Sequence, residues 1–276
     1  MSERPLLTSL SNPLVKAARA LKTRKGRAES GSFLVEGIHH VGSALEAGWE
    51  MEALLYAPEL LMGDYAASLL DEARRVGLVP QPVSAKVMGS LAEKDNPQGI
   101  LAVVKQRMLC LSELKAIQSG VALVSPQDPG NVGTILRTLD AVGADALFLL
   151  DPQTGIHGGV ELYHPTCVRA SMGAIFWKPV VRAGFVEFVG WAKGKGCQLI
   201  GTSAGASVDY READFRIPPR ILVLGSEQKG LSSQQIAACD VTVSLPMRGK
   251  VSSLNLAVAA AVLLYSLELS NRKGET

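Results

Sequence analysis

Three continuous apolar runs constrain this chain most: VALVS at Val121–Ser125, ALFLL at Ala146–Leu150 and ILVLG at Ile221–Gly225. Runs of this length, without the alternation of a half-exposed strand, predict strands covered on both faces, the habit of parallel sheets. Between the first two lies VGTILRTLDAV. Its Val132, Ile135, Leu136, Leu139 and Val142 recur at helical spacing, and Gly143 follows as a stop. Strand, helix and strand make a βαβ unit, which binds ligands in the loops beyond its strand ends. A strand at Pro179–Val181, a helix at Phe185–Lys195 and strands at Gln198–Thr202 and Val241–Leu245 extend the pattern.

The last strand runs into LPMRGKVSSLNLAVAAAVLLYSLEL, from Leu245 to Leu269. A turn with Pro246, Gly249 and two serines leads into an apolar helix. Ser252 or Ser253 is placed to cap it, because a serine oxygen accepts from the free N–H groups of a first turn. Leu254, Val258, Ala261, Val262 and Tyr265 recur at helical spacing, and the other faces are apolar too. That predicts a helix buried on nearly all sides. Its apolar run, Leu256–Leu264, is too short to cross a bilayer. Asn255, read as part of the first turn, is costly to bury unpaired.

A chain of 276 residues has room for one large domain or two ordinary ones, and an apolar share of 47% fills a sizeable core. Cys110, Cys167, Cys197 and Cys239 lie far apart with no CxxC pair. This argues against a structural zinc site and a disulfide framework, and for reduced thiols in a cytoplasmic protein. MSERPLLTSL lacks the apolar core of a secretory signal. The net charge of +2 conceals an asymmetry: residues 1–30 hold seven basic and two acidic residues, leaving 21 against 24 for the remainder. Concentrated positive charge points to a nucleic-acid partner.

Within that basic segment, Ser11 is placed to cap a helix running PLVKAARALKTRKGR from Pro13. Leu14, Val15, Ala18 and Leu21 form its apolar stripe. Lys16, Arg19, Lys22, Arg24, Lys25 and Arg27 lie on its other faces with no acid until Glu29, so these six are candidate phosphate contacts. Strands at Phe33–Val35, Ala53–Tyr56, Leu78–Val83 and Gly99–Val104 alternate with helices ending near Ala47 and spanning Asp64–Arg75 and Ala85–Leu91. This is the pattern of a small α/β domain, with a turn at Asp95–Gly99. His39 and His40, adjacent on a helix, point about 100° apart and read as surface or packing groups rather than ligands. Residues 105–120 read as a polar, helical join. The chain divides into 1–106, a linker at 107–120, and 121–276.

Three strand ends in the second region carry loops with chemistry: Asn131 and Arg137 after the first, Gly225, Glu227 and Gly230 after the second, Ser253 and Asn255 after the third. Glycines 225 and 230 would let backbone N–H groups approach a ligand. Three such loops in one α/β domain point to a shared site. No G-x-G-x-x-G is present, which argues against a Rossmann-type nucleotide enzyme.

NVGTILR from Asn131, GSEQKG from Gly225 and LPMRGKVSSLN from Leu245 occur in the order found in the SpoU (TrmH) family of RNA ribose 2′-O-methyltransferases, within the SPOUT superfamily, which the chain resembles. RASMGA, from Arg169, is similar to a further block of that family. SNPLVK and FLVEG are similar to its ribosomal-protein-like substrate-binding domain.

The resemblance implies an α/β protein with a small N-terminal RNA-binding domain and a C-terminal SPOUT domain closed by a deep trefoil knot. It implies S-adenosylmethionine as cofactor, lined by Thr202, Gly225, Leu245 and Leu254, and no metal. Arg137 would activate the ribose 2′-hydroxyl, as base or by electrostatic stabilisation. Asn131, Ser253 and Asn255 would orient ribose and loops, and Glu227 would shape the site by accepting hydrogen bonds. Ribosomal RNA ranks ahead of transfer RNA as substrate, and a homodimer away from membranes is expected. The rival is a non-catalytic RNA-binding or ribosome-assembly factor on the same fold.

Overall fold

The computed structural model describes residues 4–93, 97–151, 159–215 and 219–272, the last five by backbone alone. The expected turn residues Asp95 and Asn96 lie outside them. Two compact units form: Met1–Arg107 with Tyr163–Phe176, and Met108–Leu162 with Trp177–Thr276. The first contains α1 (Pro13–Ala20), α2 (Arg24–Ser30), β1 (Ser32–Glu36), α3 (Ile38–Glu46), β2 (Met51–Tyr56), α4 (Asp64–Arg75), β3 (Gln81–Pro82), α5 (Ala85–Leu91) and β4 (Ile100–Lys105). Its sheet has the order β1-β4-β2-β3, with β4 antiparallel to both neighbours.

The second unit opens with β5 (Ser119–Val124), α6 (Pro129–Val142) and β6 (Ala146–Asp151). The chain then enters the first unit as α7 (Pro165–Ala170) and leaves it along α8 (Ala174–Trp177). β7 (Val180–Gly184), α9 (Phe185–Gly194), β8 (Gln198–Thr202), β9 (Val208–Asp209), β10 (Arg220–Leu224), α10 (Ser233–Ala238), β11 (Val241–Ser244) and α11 (Leu256–Arg272) complete it. Seven strands form one all-parallel sheet in the order β7-β6-β5-β10-β8-β11-β9. Its central strands β5, β10 and most of β6 are buried along their length, as the continuous apolar runs predict. Among the described residues, no helix is long and apolar enough to cross a membrane.

Several local expectations are corrected. The basic N-terminal segment is two helices, not one. Asn12, rather than Ser11, caps α1, its Oδ1 accepting from Leu14 N at 2.9 Å. Thr23 caps α2, accepting from Gly26 N at 3.1 Å. A Cβ at position 26 would lie 2.1 Å from the Ala20 carbonyl oxygen, so the tight step between the helices requires glycine there. The strand expected over 78–83 shrinks to Gln81–Pro82, because Pro80 and Pro82 cannot donate to a ladder. The expected helical join at 105–120 contains only a three-residue 3₁₀ turn, Leu111–Glu113. Leu109 N instead donates to Val180 O beside β7, and Leu111 and Ile117 are buried in the second core.

α11 also differs from expectation. Asn255, not a serine, caps it: Oδ1 accepts from Ala257 N at 2.8 Å and Val258 N at 3.3 Å. Leu256, Ala257, Ala260, Leu263, Leu264 and Leu267 are buried. Leu254, Val258, Val262 and Tyr265 are not, standing 39%, 49%, 37% and 53% exposed. The helix is therefore buried on one side and carries an exposed apolar stripe on the other.

In the first unit, Val15 and Ala18 of α1, Leu21 just after it, and Val87, Met88 and Leu91 of α5 pack on Leu34, Leu55, Leu101 and Val103 of the sheet. A separate aromatic cluster joins distant parts of the chain. Phe33 lies 4.4 Å from Tyr163 and Trp49 lies 5.3 Å from Phe176, ring centre to ring centre. Trp49 Nε1 donates to the Phe176 carbonyl at 3.0 Å, and Tyr163 Oη accepts from Arg107 N at 2.8 Å. Tyr163–Phe176, RASMGA included, thus belongs to the first unit, although the sequence places it in the second region.

Candidate active site

β8, β10 and β11 run parallel and their carboxyl ends lie together. The chain beyond each end lines one cavity of about 650 Å³. Thr202, Gly225, Leu245 and Leu254, the residues expected to hold a cofactor, all line it, as do Glu227, Ser253 and Asn255. Leu224, Met247, Leu256 and Leu263 add apolar wall. The volume falls within the roughly 300–1,000 Å³ range of small-molecule sites.

Gly225 is also required by the loop's own packing. A Cβ there would lie 2.0 Å from the Gly230 carbonyl carbon, so its bare backbone lets the loop close on itself. Gly230 N donates to Ser226 O at 2.8 Å to complete that closure. Thr202 Oγ1 faces the Val223 carbonyl at 3.3 Å, which ties β8 to β10 at the cavity floor.

The three motifs meet through a chain of side-chain hydrogen bonds. Asn255 Nδ2 donates to Asn131 Oδ1 at 2.9 Å, and Asn131 Nδ2 donates to Glu227 Oε1 at 3.1 Å. Glu227 also accepts from Gln127 N at 3.2 Å and Asp128 N at 3.4 Å. The direction of this chain is fixed at both ends. The first-turn N–H groups of α11 require an acceptor, so Asn255 turns its oxygen to them and its NH₂ to Asn131. The carboxylate accepts only, so Asn131 turns its NH₂ to Glu227. Asn131 is 7% exposed and does not line the cavity; its amide acts as the middle link.

Asn131 is the third residue of α6. Asp128 caps that helix, with Oδ1 accepting from Gly130 N at 2.8 Å. Asp128 and Gln127, missed in the sequence, are detectable only once Glu227 is known to face them. Ser125, at the end of β5, adopts φ of 52°, a conformation rarely populated by a non-glycine residue, where the chain turns into this loop.

Arg137 lies on the exposed surface of α6, outside the cavity lining. No hydrogen bond or ion pair engages it among the described residues, so its guanidinium donors are free. On β9, Asp209 is held well below the usual carboxylate range. The chief cause is Arg211, whose Nε donates to Oδ1 at 2.9 Å, with Arg248 contributing at longer range.

The six N-terminal cations have different fates. Arg27 is corrected as a phosphate contact: it is 2% exposed and donates to the Leu21 carbonyl at 2.7 Å, which holds it inside the fold. Arg19 donates to Ser90 Oγ at 3.0 Å, and Lys22 to the Ala92 carbonyl at 2.8 Å. Lys25 pairs with Glu29 at 3.7 Å on the surface. Lys16 and Arg24 are exposed.

Residues 118–265 match the model of the SpoU rRNA methylase family, and residues 12–102 match that of an MRM3-like substrate binding domain. The chain is 33% identical over 265 residues to a 23S rRNA (uridine(2479)-2′-O)-methyltransferase of Streptomyces viridochromogenes, covering 93% of this chain and 89% of the relative. It is 30% identical over 264 residues to a 23S rRNA (guanosine(2553)-2′-O)-methyltransferase of Bacillus subtilis, covering 95% and 98%. The crystal structure of an AdoMet-bound rRNA methyltransferase from Sinorhizobium meliloti superimposes with a TM-score of 0.85 at 33% identity, covering 98% of each chain.

Proposed function

The chain belongs to the SpoU rRNA methylase family, and from that premise we propose that it methylates a ribose 2′-hydroxyl of ribosomal RNA, with S-adenosylmethionine as donor. The observation that carries this reading is one cavity lined by two of the motif loops, with the third motif tied to both through the Asn255–Asn131–Glu227 hydrogen bonds.

The residues present suit the cofactor. Leu224, Leu245, Met247, Leu254 and Leu256 offer apolar surface to an adenine, while backbone and serine hydroxyls at 203, 252 and 253 offer polar contacts. Bound there, S-adenosylmethionine would supply a methyl group on positively charged sulfur, so the protein's share is to position the ribose and stabilise its 2′-oxygen while the hydroxyl proton passes to solvent. Thr202, Gly225, Leu245 and Leu254 hold the cofactor. Asn131 and Glu227 lock the loops, and Ser253 and Asn255 face the transfer region from the lip of α11.

Arg137 is the activating group. Guanidinium stays protonated, so its role is electrostatic: it stabilises the developing 2′-oxyanion and the neighbouring phosphate. The reading requires RNA, since DNA lacks the 2′-hydroxyl. Exposed Lys16, Arg24 and Lys25 of the substrate-binding unit supply phosphate contacts.

A second copy of the chain covers the stripe Leu254, Val258, Val262 and Tyr265, making a cytoplasmic homodimer. Sedimentation at a monomer's mass would remove that part of the proposal. The trefoil knot implied by family resemblance belongs to it as well: a knotted chain stretched from both ends stops short of its full contour length. The principal test is transfer of tritiated methyl from S-adenosylmethionine to unmodified 23S rRNA transcript, with the modified ribose mapped by mass spectrometry. Label entering a base, or no label entering RNA, would overturn the reading. Label entering only transfer RNA would replace the substrate.

A further inference from the structure

The connection from β11 to α11 is held by few bonds of its own. From Leu245 to Leu254 no backbone N–H, carbonyl or side chain makes a hydrogen bond to the rest of the described chain. From Arg248 to Asn255 every residue is exposed. Strong donors and acceptors left unpaired by the fold are paired by whatever bathes them, solvent or ligand. This segment carries Arg248 and Lys250 with no acid, and both its ends line the cavity through Leu245, Met247, Ser252 and Ser253. Neither cation is in a hydrogen bond or ion pair among the described residues. The anion nearest Arg248 in effect, Asp209, is already engaged by the Arg211 fork, which leaves the guanidinium donors of Arg248 available. Lys229, on the facing loop, also lines the cavity.

We propose that Arg248 and Lys250 form a phosphate clamp that holds the RNA backbone beside the target ribose at the mouth of the cavity. The inference rests on the proposed RNA methylation and adds to it: the catalytic unit grips substrate with its own cations, independently of the substrate-binding unit. Phosphate contact fits this segment because it demands charge and free donors but no base-specific geometry. The loop that walls the cofactor cavity would then also register the RNA strand, so the same ten residues position both reactants.

The test is the salt dependence of binding to 23S rRNA transcript by the full-length protein, wild type against the Arg248→Gln/Lys250→Gln double variant. Each phosphate contact contributes roughly 0.7 to 0.9 to the slope of log K against log salt. The double variant is expected to lower that slope by about one to two units, with cofactor affinity by calorimetry retained. The exchange Arg248→Lys/Lys250→Arg keeps both charges and is expected to keep the slope, which separates charge from disturbance of the loop. An unchanged slope in the double variant overturns the clamp. So does cofactor affinity falling with RNA affinity, which would assign these cations to the cofactor's carboxylate. Failure of the underlying function is distinguishable: a wild-type protein that transfers no methyl while the slope still responds keeps the clamp and loses the enzyme.

Discussion

The cations between Lys16 and Arg27 and those between Leu245 and Leu254 carry the same charge and live under different conditions. In the N-terminal run, Arg27 is buried, Arg19 and Lys22 hold carbonyls and a hydroxyl across to the end of α5, and Lys25 faces Glu29. Arg19, Lys22 and Arg27 thus fasten the two helices within the first unit, and the exposed Lys16, Arg24 and Lys25 do not. In the later loop, Arg248 and Lys250 make no hydrogen bond or ion pair among the described residues. Charge density along a sequence therefore does not measure charge available to a partner. What matters is whether the chain offers the cation an acceptor of its own, and helix ends do so, because their last carbonyls lack intrahelical partners. An open loop without such ends keeps its cations free.

Arg137 is the strongest case on the uncommitted side. Arg137→Ala is expected to lower kcat by about 100- to 1,000-fold, the usual cost of removing one transition-state donor, with cofactor affinity intact by calorimetry. If cofactor binding disappears instead, Arg137 is committed to the fold or the pocket and the contrast fails for it. On the committed side, Arg27→Met keeps the aliphatic stem but strands the Leu21 carbonyl. A loss of about 1–3 kcal/mol in urea unfolding is expected. A variant as stable as wild type but weaker for RNA would turn Arg27 into a ligand contact. The smallest effect belongs to Lys25→Ala. The exposed pair with Glu29 is worth well under about 1 kcal/mol, so stability should stay within about 0.5 kcal/mol of wild type. A larger shift would show that the surface pair anchors α2 after all.

Much of the catalytic unit was legible in sequence because its strands are buried on both faces and write themselves as unbroken apolar runs. α6 ends at Gly143 in the left-handed conformation, as a stop glycine should. The three motifs sit at strand ends for the same reason, two of them lining the cavity and the third bonded to both through Asn131. What could not be read is set by neighbours distant in sequence. Asn255 outcompetes Ser252 and Ser253 as cap because its amide also reaches Asn131, 124 residues away. Helical periodicity marked Val258, Val262 and Tyr265 as apolar, but periodicity carries no information on which apolar face finds a partner within the chain. The break between α1 and α2 depends on how closely Gly26 approaches the Ala20 carbonyl, a steric limit invisible to pattern.

The aromatic cluster of the first unit has a practical consequence. Phe33 and Trp49 come from one end of the chain, Tyr163 and Phe176 from a segment read 56 and more residues after Arg107. A gene fragment ending at Arg107 would encode the sheet and five helices but omit half of the rings that close its second face. Swapping substrate-binding units between relatives, to redirect the methyl group to another RNA, therefore takes two splices rather than one. The insert must carry Tyr163–Phe176 together with the N-terminal block, or the transplanted unit arrives with an open flank.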